Sequence, residues 1–147
     1  MPLLKRALGV LVREDPWTRV VVFAGEAVEA NILDGGELPF VAAGSKLSKG
    51  LEVAADFQPQ SMVIFSDGDM TDKEQCFSMV AESSGIISCL WFRPLHSTEP
   101  NEGRKFLANL ARRGGGQFRD ADGNPEAAVS ELLSIVRIQR ALHRGHA

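Results

Sequence analysis

The sequence has few of the features that define several functional classes. It contains only two cysteines, Cys76 and Cys89. They form no spaced metal or disulfide motif and lie in apolar stretches, so we expect buried, reduced thiols. No apolar run approaches the roughly 20 residues that a membrane-spanning helix requires. The N-terminal residues lack the apolar core and cleavage site of a signal peptide. These absences predict a cytoplasmic protein that does not enter a membrane.

Strong positive charge and an evident catalytic set are also missing. The formal net charge is −3, which offers no electrostatic basis for binding nucleic acid. Ser66 has no histidine near it in the sequence, and neither cysteine lies where positive charge or a helix start would lower its pKa. No nucleophile–base pair is therefore indicated, and we expect no enzymatic activity.

What the chain does contain is an alternation of predicted strands and helices along 147 residues. This length fits a single domain over 1–147, in which residues 137–147 are expected to form a basic, frayed tail. Alternation of this kind predicts an α/β fold: a three-layer α/β/α sandwich with a mainly parallel sheet. The predicted strands are 19–23, 27–33, 62–66, 86–92 and 117–119, and the predicted helices are centred on residues 4–12, 47–54, 73–80, 106–111 and 125–136. Residues 94–101 are predicted to form a loop, and residues 120–124 a turn in which Asn124 caps the last helix.

The most informative segment is the strand at 62–66 and the turn after it. Ser66, Asp67 and Gly68 follow a short apolar run, at the end of a strand where ligands bind in open α/β sheets. A carboxylate and a hydroxyl beside a glycine suit a hard cation such as Mg²⁺. The structural alternative, which these residues alone favour, is a turn closed by the Ser66 and Asp67 side chains.

Other polar residues lie close to this turn. Asp69 and Asp72 add acidic charge that either binds a metal or a basic partner, or simply favours a helix start. Residues 71–74 have the pattern of a capping box, and Ser45 is placed to cap the helix at 47–54. Arg93 follows the next strand at the same edge of the sheet, after Trp91 and Phe92, of which at least one is expected in the core.

The order of these elements and four local motifs resemble the von Willebrand factor A domain. Residues 20–25 are similar to that family's second strand, and 43–47 to its metal-binding loop, with Ser45 in the threonine position. Residues 64–68 resemble its Thr-Asp-Gly strand end. Residues 107–118 resemble its closing helix, glycine pair and aromatic strand. The resemblance implies a Rossmann-like fold and a protein-binding function.

The chain departs from that family at the start, because no Asp-x-Ser-x-Ser segment occurs in it. This segment ends the family's first strand and supplies the main metal ligands. Ser45 and Asp67 then remain as weak or vestigial ligands, and no tightly held metal or other cofactor is expected. The sequence thus predicts a non-enzymatic protein-interaction module with a degenerate metal-ion-dependent adhesion site. Its unknown protein partner would contact Ser66, Asp69, Asp72 and Arg93.

Two alternatives stay open at this point. One is an Mg²⁺-dependent phosphate-handling or hydrolytic enzyme that uses Asp67.

The other concerns the missing first strand, which the family places in the middle of its sheet. Strand 19–23 pairs directly with strand 62–66, or another chain donates a strand, or the sequence is a fragment of a longer protein. Direct pairing is the simplest expectation and predicts a monomer or a modest homodimer.

Overall fold

The computed structural model describes residues 20–23, 27–30, 46–83, 85–93, 100–121, 124 and 126–132. The predicted N-terminal helix, Ser45 and the predicted tail at 137–147 lie outside the described residues. The strands are β1 (Val20–Phe23), β2 (Ala27–Ala30), β3 (Ser61–Ser66), β4 (Ile86–Trp91) and β5 (Gly115–Asp120), and the helices are α1 (Leu47–Ala55), α2 (Lys73–Glu82) and α3 (Pro100–Arg113). Residues 126–132 are also helical. Within the described ranges, no helix is long and apolar enough to cross a bilayer.

The centre of the fold is a three-stranded parallel sheet in the order β3-β4-β5. Ile64 in β3 lies beside Cys89 in β4, and Cys89 lies beside Phe118 in β5. Both β3 and β4 are short, mainly apolar runs, which is the pattern of parallel strands covered by helices. The predicted α/β fold with a mainly parallel sheet is confirmed.

Helices cover both faces of this sheet. Residues from α1, α2 and α3 form one core cluster with alternate residues of the strands: Leu47, Leu51, Ile64, Cys76, Val80, Ile87, Cys89, Trp91, Phe106, Leu107, Leu110 and Ala111. In each helix these apolar residues recur three or four positions apart, so they share one face. On the opposite face, Arg119 lies beside the buried Leu90 and bonds Glu131 in the helical segment 126–132 at 2.8 Å.

The two N-terminal strands form a separate ladder. β1 pairs antiparallel with β2, with Val21 beside Glu29. The expectation that strand 19–23 pairs directly with strand 62–66 is wrong for the described residues, in which the two ladders share no hydrogen-bonded strand pair. α1 connects them instead, because it packs against both β1 and β2 while Leu47 and Leu51 share the core with Ile64.

Several helix ends differ from the predictions. α1 has Lys46 at its N-cap, without a side-chain cap bond. α2 has Asp72 at its N-cap, also without such a bond, so the predicted capping box at 71–74 does not set this helix start. α3 begins at Pro100, inside the predicted loop, where proline is favoured as a first helical residue. The predicted Asn124 cap is confirmed, since its Oδ1 accepts the Ala127 N–H at 3.1 Å.

Candidate functional site: the carboxyl edge of the sheet

The three parallel strands all end at one edge of the sheet. The register places Ser66 beside Trp91 and Trp91 beside Asp120. Asp67, Phe92 and Arg93 therefore leave the sheet next to one another, as the sequence predicted for Asp67 and Arg93. This is the edge at which parallel α/β sheets bind ligands.

The turn after β3 is closed by its own side chains. Ser66 Oγ accepts the Gly68 N–H at 3.0 Å, and Asp67 Oδ1 accepts the Asp69 N–H at 2.9 Å. The Asp67 carbonyl accepts the indole N–H of Trp91 at 3.0 Å, and Trp91 is only 1% exposed. Ser66 and Asp67 thus have the turn-forming role that was the structural alternative.

The backbone of this turn packs directly against the backbone of α3 where Gly68 meets Gly103. Gly68 has a φ of +77°, which glycine adopts at little cost. A Cβ at Gly68 would overlap the Gly103 carbonyl group, and a Cβ at Gly103 would overlap the Asp67 carbonyl oxygen. Gly103 was not predicted to lie at this site. Its only signal is a glycine inside a helical segment, which often marks a close approach of two backbones.

Asp72 caps a helix other than its own. Its Oδ2 accepts the backbone N–H of Ser48, in the first turn of α1, at 2.9 Å. Its Oδ1 accepts a longer hydrogen bond from the Cys76 thiol, with 3.7 Å between Sγ and Oδ1. Burial alone would raise the pKa of Asp72, but hydrogen bonds from the Ser48 hydroxyl and backbone, and from Cys76, bring the pKa below its ordinary value. Both carboxylate oxygens of Asp72 are therefore engaged inside the protein.

Other groups at this edge face solvent. Asp69 and Arg93 are exposed, and Asp69 has no hydrogen bond to its carboxylate among those described. Asp120, which was predicted to be part of a turn, ends β5 at the same edge, and its Oδ2 lies 3.6 Å from Arg104 Nε. The predicted strand at 117–119 was too short to place Asp120 there.

Few possible metal ligands lie at this edge among the described residues. Of the two predicted ligands, Ser45 lies outside the described residues, and one oxygen of Asp67 already accepts a backbone N–H. No group of three or more histidine, cysteine or acidic side chains that would hold a metal ion occurs among the described residues. A single carboxylate and a hydroxyl leave most positions around Mg²⁺ to water.

The two thiols have the buried environment that the sequence predicted. Both are free and buried. Burial raises the pKa of Cys76 to about 12, and the nearby Asp72 carboxylate adds to the effect. Burial likewise raises the pKa of Cys89. Since the thiolate is the reactive form, both cysteines are inert near neutral pH.

Comparison of the chain with protein-family models, curated proteins and solved structures gives no match.

Proposed function

We propose that this domain is a non-enzymatic protein-interaction module of the von Willebrand factor A type, with a degenerate metal-ion-dependent adhesion site. The proposed partner surface is the turn at 66–72 together with Arg93. The motifs at 20–25, 64–68 and 107–118 support the family assignment, and the α/β fold agrees with it. The partner is a protein whose contact surface complements an acidic turn beside an arginine.

The observation that carries the proposal is the preorganisation of this turn. Its backbone is fixed by the Ser66 and Asp67 side chains, by the Trp91 indole and by the contact of Gly68 with Gly103. Asp69 is presented to solvent from this fixed backbone. A preorganised surface loses less conformational entropy on binding, which is why rigid loops make effective recognition sites.

These hydrogen bonds separate the predicted partner-binding residues into two roles. Ser66, Asp67 and Asp72 shape and anchor the turn through internal bonds. Asp69 and Arg93 are both exposed, and we expect a partner to contact these two charges. Opposite charges on a binding surface act mainly on partner selection and on the association rate.

Site-specific photo-crosslinking in cells tests this proposal. We would place the photoreactive residue p-benzoylphenylalanine at Asp69, and at the exposed Glu82 of α2 as a matched control. The expected result is a discrete crosslinked protein from the Asp69 position and none from the Glu82 position. Identical crosslinking patterns from both positions, or substrate turnover that depends on Asp67 or Ser66, would contradict the proposal.

A further inference from the structure

Two positive charges lie over a pair of aromatic rings where α2 meets α3. The Phe77 ring of α2 meets the Phe106 ring of α3 edge to face, with centroids 5.3 Å apart. Lys73 Nζ lies over the Phe106 ring, 5.6 Å from its centroid. The guanidinium carbon of Arg113 lies over the Phe77 ring, 4.1 Å from its centroid. We call these four side chains, which contact one another in the order Lys73, Phe106, Phe77 and Arg113, the cation–aromatic row.

The row is anchored in the core and reaches the surface. Phe106 is only 4% exposed and belongs to the core cluster, against which Phe77 packs. Phe77 and Lys73 are partly buried, and Arg113 is exposed. Both cations are thus held by rings whose positions the core fixes, which limits the conformational entropy that they would lose on binding a ligand.

The two cations of the row lack an acidic partner. Arg104 and Lys105, earlier in α3, lie 3.6 and 3.9 Å from carboxylate oxygens. In the part of the chain that the structure describes, the side chains of Lys73 and Arg113 form no ion pair and no hydrogen bond. Contact with a ring face offsets part of a cation's desolvation but supplies no oxygen atom to its N–H donors. Arg113 therefore keeps the planar set of donors with which arginine binds a carboxylate at two points.

The helix dipoles account for only one of these cations. Positive charge is favoured in the last turn of a helix and disfavoured in the first. Arg113 ends α3, where its charge is favourable, but Lys73 begins α2, where it is not. The feature that Lys73 and Arg113 share is contact with the same pair of rings.

The distribution of charge indicates what kind of ligand fits the row. α3 contains four basic residues and one acidic residue, in a chain whose net charge is −3. Positive charge is therefore concentrated on this helix, which complements an acidic segment. A polypeptide can place an apolar side chain between two carboxylates, as the rings between two cations require. A nucleic acid offers a continuous row of phosphates, which the negative net charge of the chain opposes.

We propose that the cation–aromatic row binds an acidic segment of a partner protein. One carboxylate of the segment would bind Arg113, a second would bind Lys73, and an apolar side chain between them would contact Phe77. The proposal rests on the proposed protein-binding function, but it uses residues outside the 66–72 turn and Arg93.

Nuclear magnetic resonance of the arginine side chains, with a defined peptide, tests the inference. The probe is acetyl-Glu-Glu-Leu-Leu-Glu-Glu-amide, titrated into the whole chain, and we expect a saturable shift of the Arg113 Nε–H signal. Arg113→Gln should weaken peptide binding about tenfold, because charge-assisted hydrogen bonds are lost. Lys105→Gln is the matched control: it removes the same charge from the same helix but outside the row, and should weaken binding less than about twofold. No saturable shift, or equal weakening by the two variants, would overturn the inference.

Two further probes leave the protein unchanged, so they do not depend on how a variant folds. Acetyl-Gln-Gln-Leu-Leu-Gln-Gln-amide keeps the size and the apolar pair of the first peptide but has no carboxylate, and it should give no saturable shift. A short oligothymidylate with the same net charge as the acidic peptide should bind more weakly than that peptide. Binding of either probe as tightly as the acidic peptide would overturn the inference.

The tests of the row and of the 66–72 turn have separate outcomes. Asp69→Asn should not weaken binding of the acidic peptide, and weaker binding would place the peptide on the turn and overturn this inference. Glu82, the control position for crosslinking, is about 140° around α2 from Phe77 and so lies off the row. Peptide binding without Asp69 crosslinking would refute the turn surface alone, and crosslinking without peptide binding would refute this inference alone.

Discussion

The strands β3 and β4 are alike in length and apolar content but lie in different environments. Both are six-residue, mainly apolar strands paired in register. From Ile87 to Trp91, β4 is buried throughout, whereas in β3 only Ile64 is. The difference arises because β4 has hydrogen-bonded neighbours on both sides and β3 has one among the described strands. Composition thus indicates that a strand lies within a layered sheet, but the number of neighbours decides how much of it is buried.

The largest expected effect comes from placing a charge in each strand. Leu90 and Phe65 are register partners on one face of the sheet, but Leu90 is 0% exposed and Phe65 is only partly buried. We expect Leu90→Asp to abolish cooperative folding, since an unpaired buried carboxylate costs several kcal/mol of a total stability of about 5–15 kcal/mol. Phe65→Asp should fold with reduced stability. Thermal melts followed by circular dichroism would show this, and equal effects at both positions would refute the contrast.

The second prediction compares two glycines with nearly the same positive φ. Gly68 and Gly115 have φ values of +77° and +75°, but a Cβ at Gly115 would have nothing within 4 Å. Gly115→Ala should therefore lower the free energy of unfolding only by the cost of a left-handed backbone at alanine, about 1–2 kcal/mol. Gly68→Ala should cost about 1–3 kcal/mol more, because its Cβ would force the turn away from Gly103. Urea titrations of both variants would measure the difference. Equal decreases in the free energy of unfolding would show that the turn can move away from Gly103 at no cost.

The third prediction concerns the cap that Asp72 provides to α1. Asp72→Ala should lower the free energy of unfolding by about 1 kcal/mol, the usual value for a lost helix cap. Asp69→Ala, which removes an exposed carboxylate from the same turn, is the matched control and should have little effect. Chemical denaturation near neutral pH measures both, and equal losses for the two variants would contradict the capping role.

The same cap gives a pH dependence with a defined sign. The pKa of Asp72 is lower in the folded protein than its ordinary value of 3.8. Its stabilising effect is therefore complete above the unfolded pKa and is lost as the pH falls through the folded value. The difference in stability between wild type and Asp72→Ala should shrink well below pH 3.8. A difference that persists unchanged in strong acid would mean that the carboxylate charge does not contribute.

The smallest expected effect is that of magnesium. We expect no increase in melting temperature in millimolar Mg²⁺, because stabilisation depends on the ratio of ligand concentration to dissociation constant and few protein ligands are available. An increase that disappears in Asp67→Ala but persists in Asp69→Ala would contradict this expectation. It would support the alternative of an Mg²⁺-dependent enzyme that uses Asp67.

The sequence predicted the local elements well because their signals are local. The apolar runs of β3 and β4, the spacing of Phe106 and Leu110, and the Asn124 cap are each confirmed within a short stretch of chain. The closure of the Ser66–Asp67 turn by its own side chains was also foreseen, as the structural alternative, from residue types with well-known turn chemistry.

What the sequence could not supply depends on residues distant in the chain. The Asp72 carboxylate and the Ser48 N–H that it accepts are 24 positions apart, so no local pattern connects them. The contact between Gly68 and Gly103 arises only when α3 packs against the turn. Whether β1 joins β3 depends on where α1 places the two ladders. The expectation that strand 19–23 closes directly onto strand 62–66, across the position of the missing family strand, is therefore not met among the described strands.

The cap on α1 also bears on how the domain folds as it is synthesised. α1 is complete at Ala55, but the carboxylate that caps it belongs to Asp72, at the start of α2. A nascent chain that has emerged only as far as β3 contains every residue of this helix without its cap or its helical neighbour. Short isolated helices are marginal in water. α1 should therefore become stable only after α2 has left the ribosome, so that this helix depends on a segment synthesised after it.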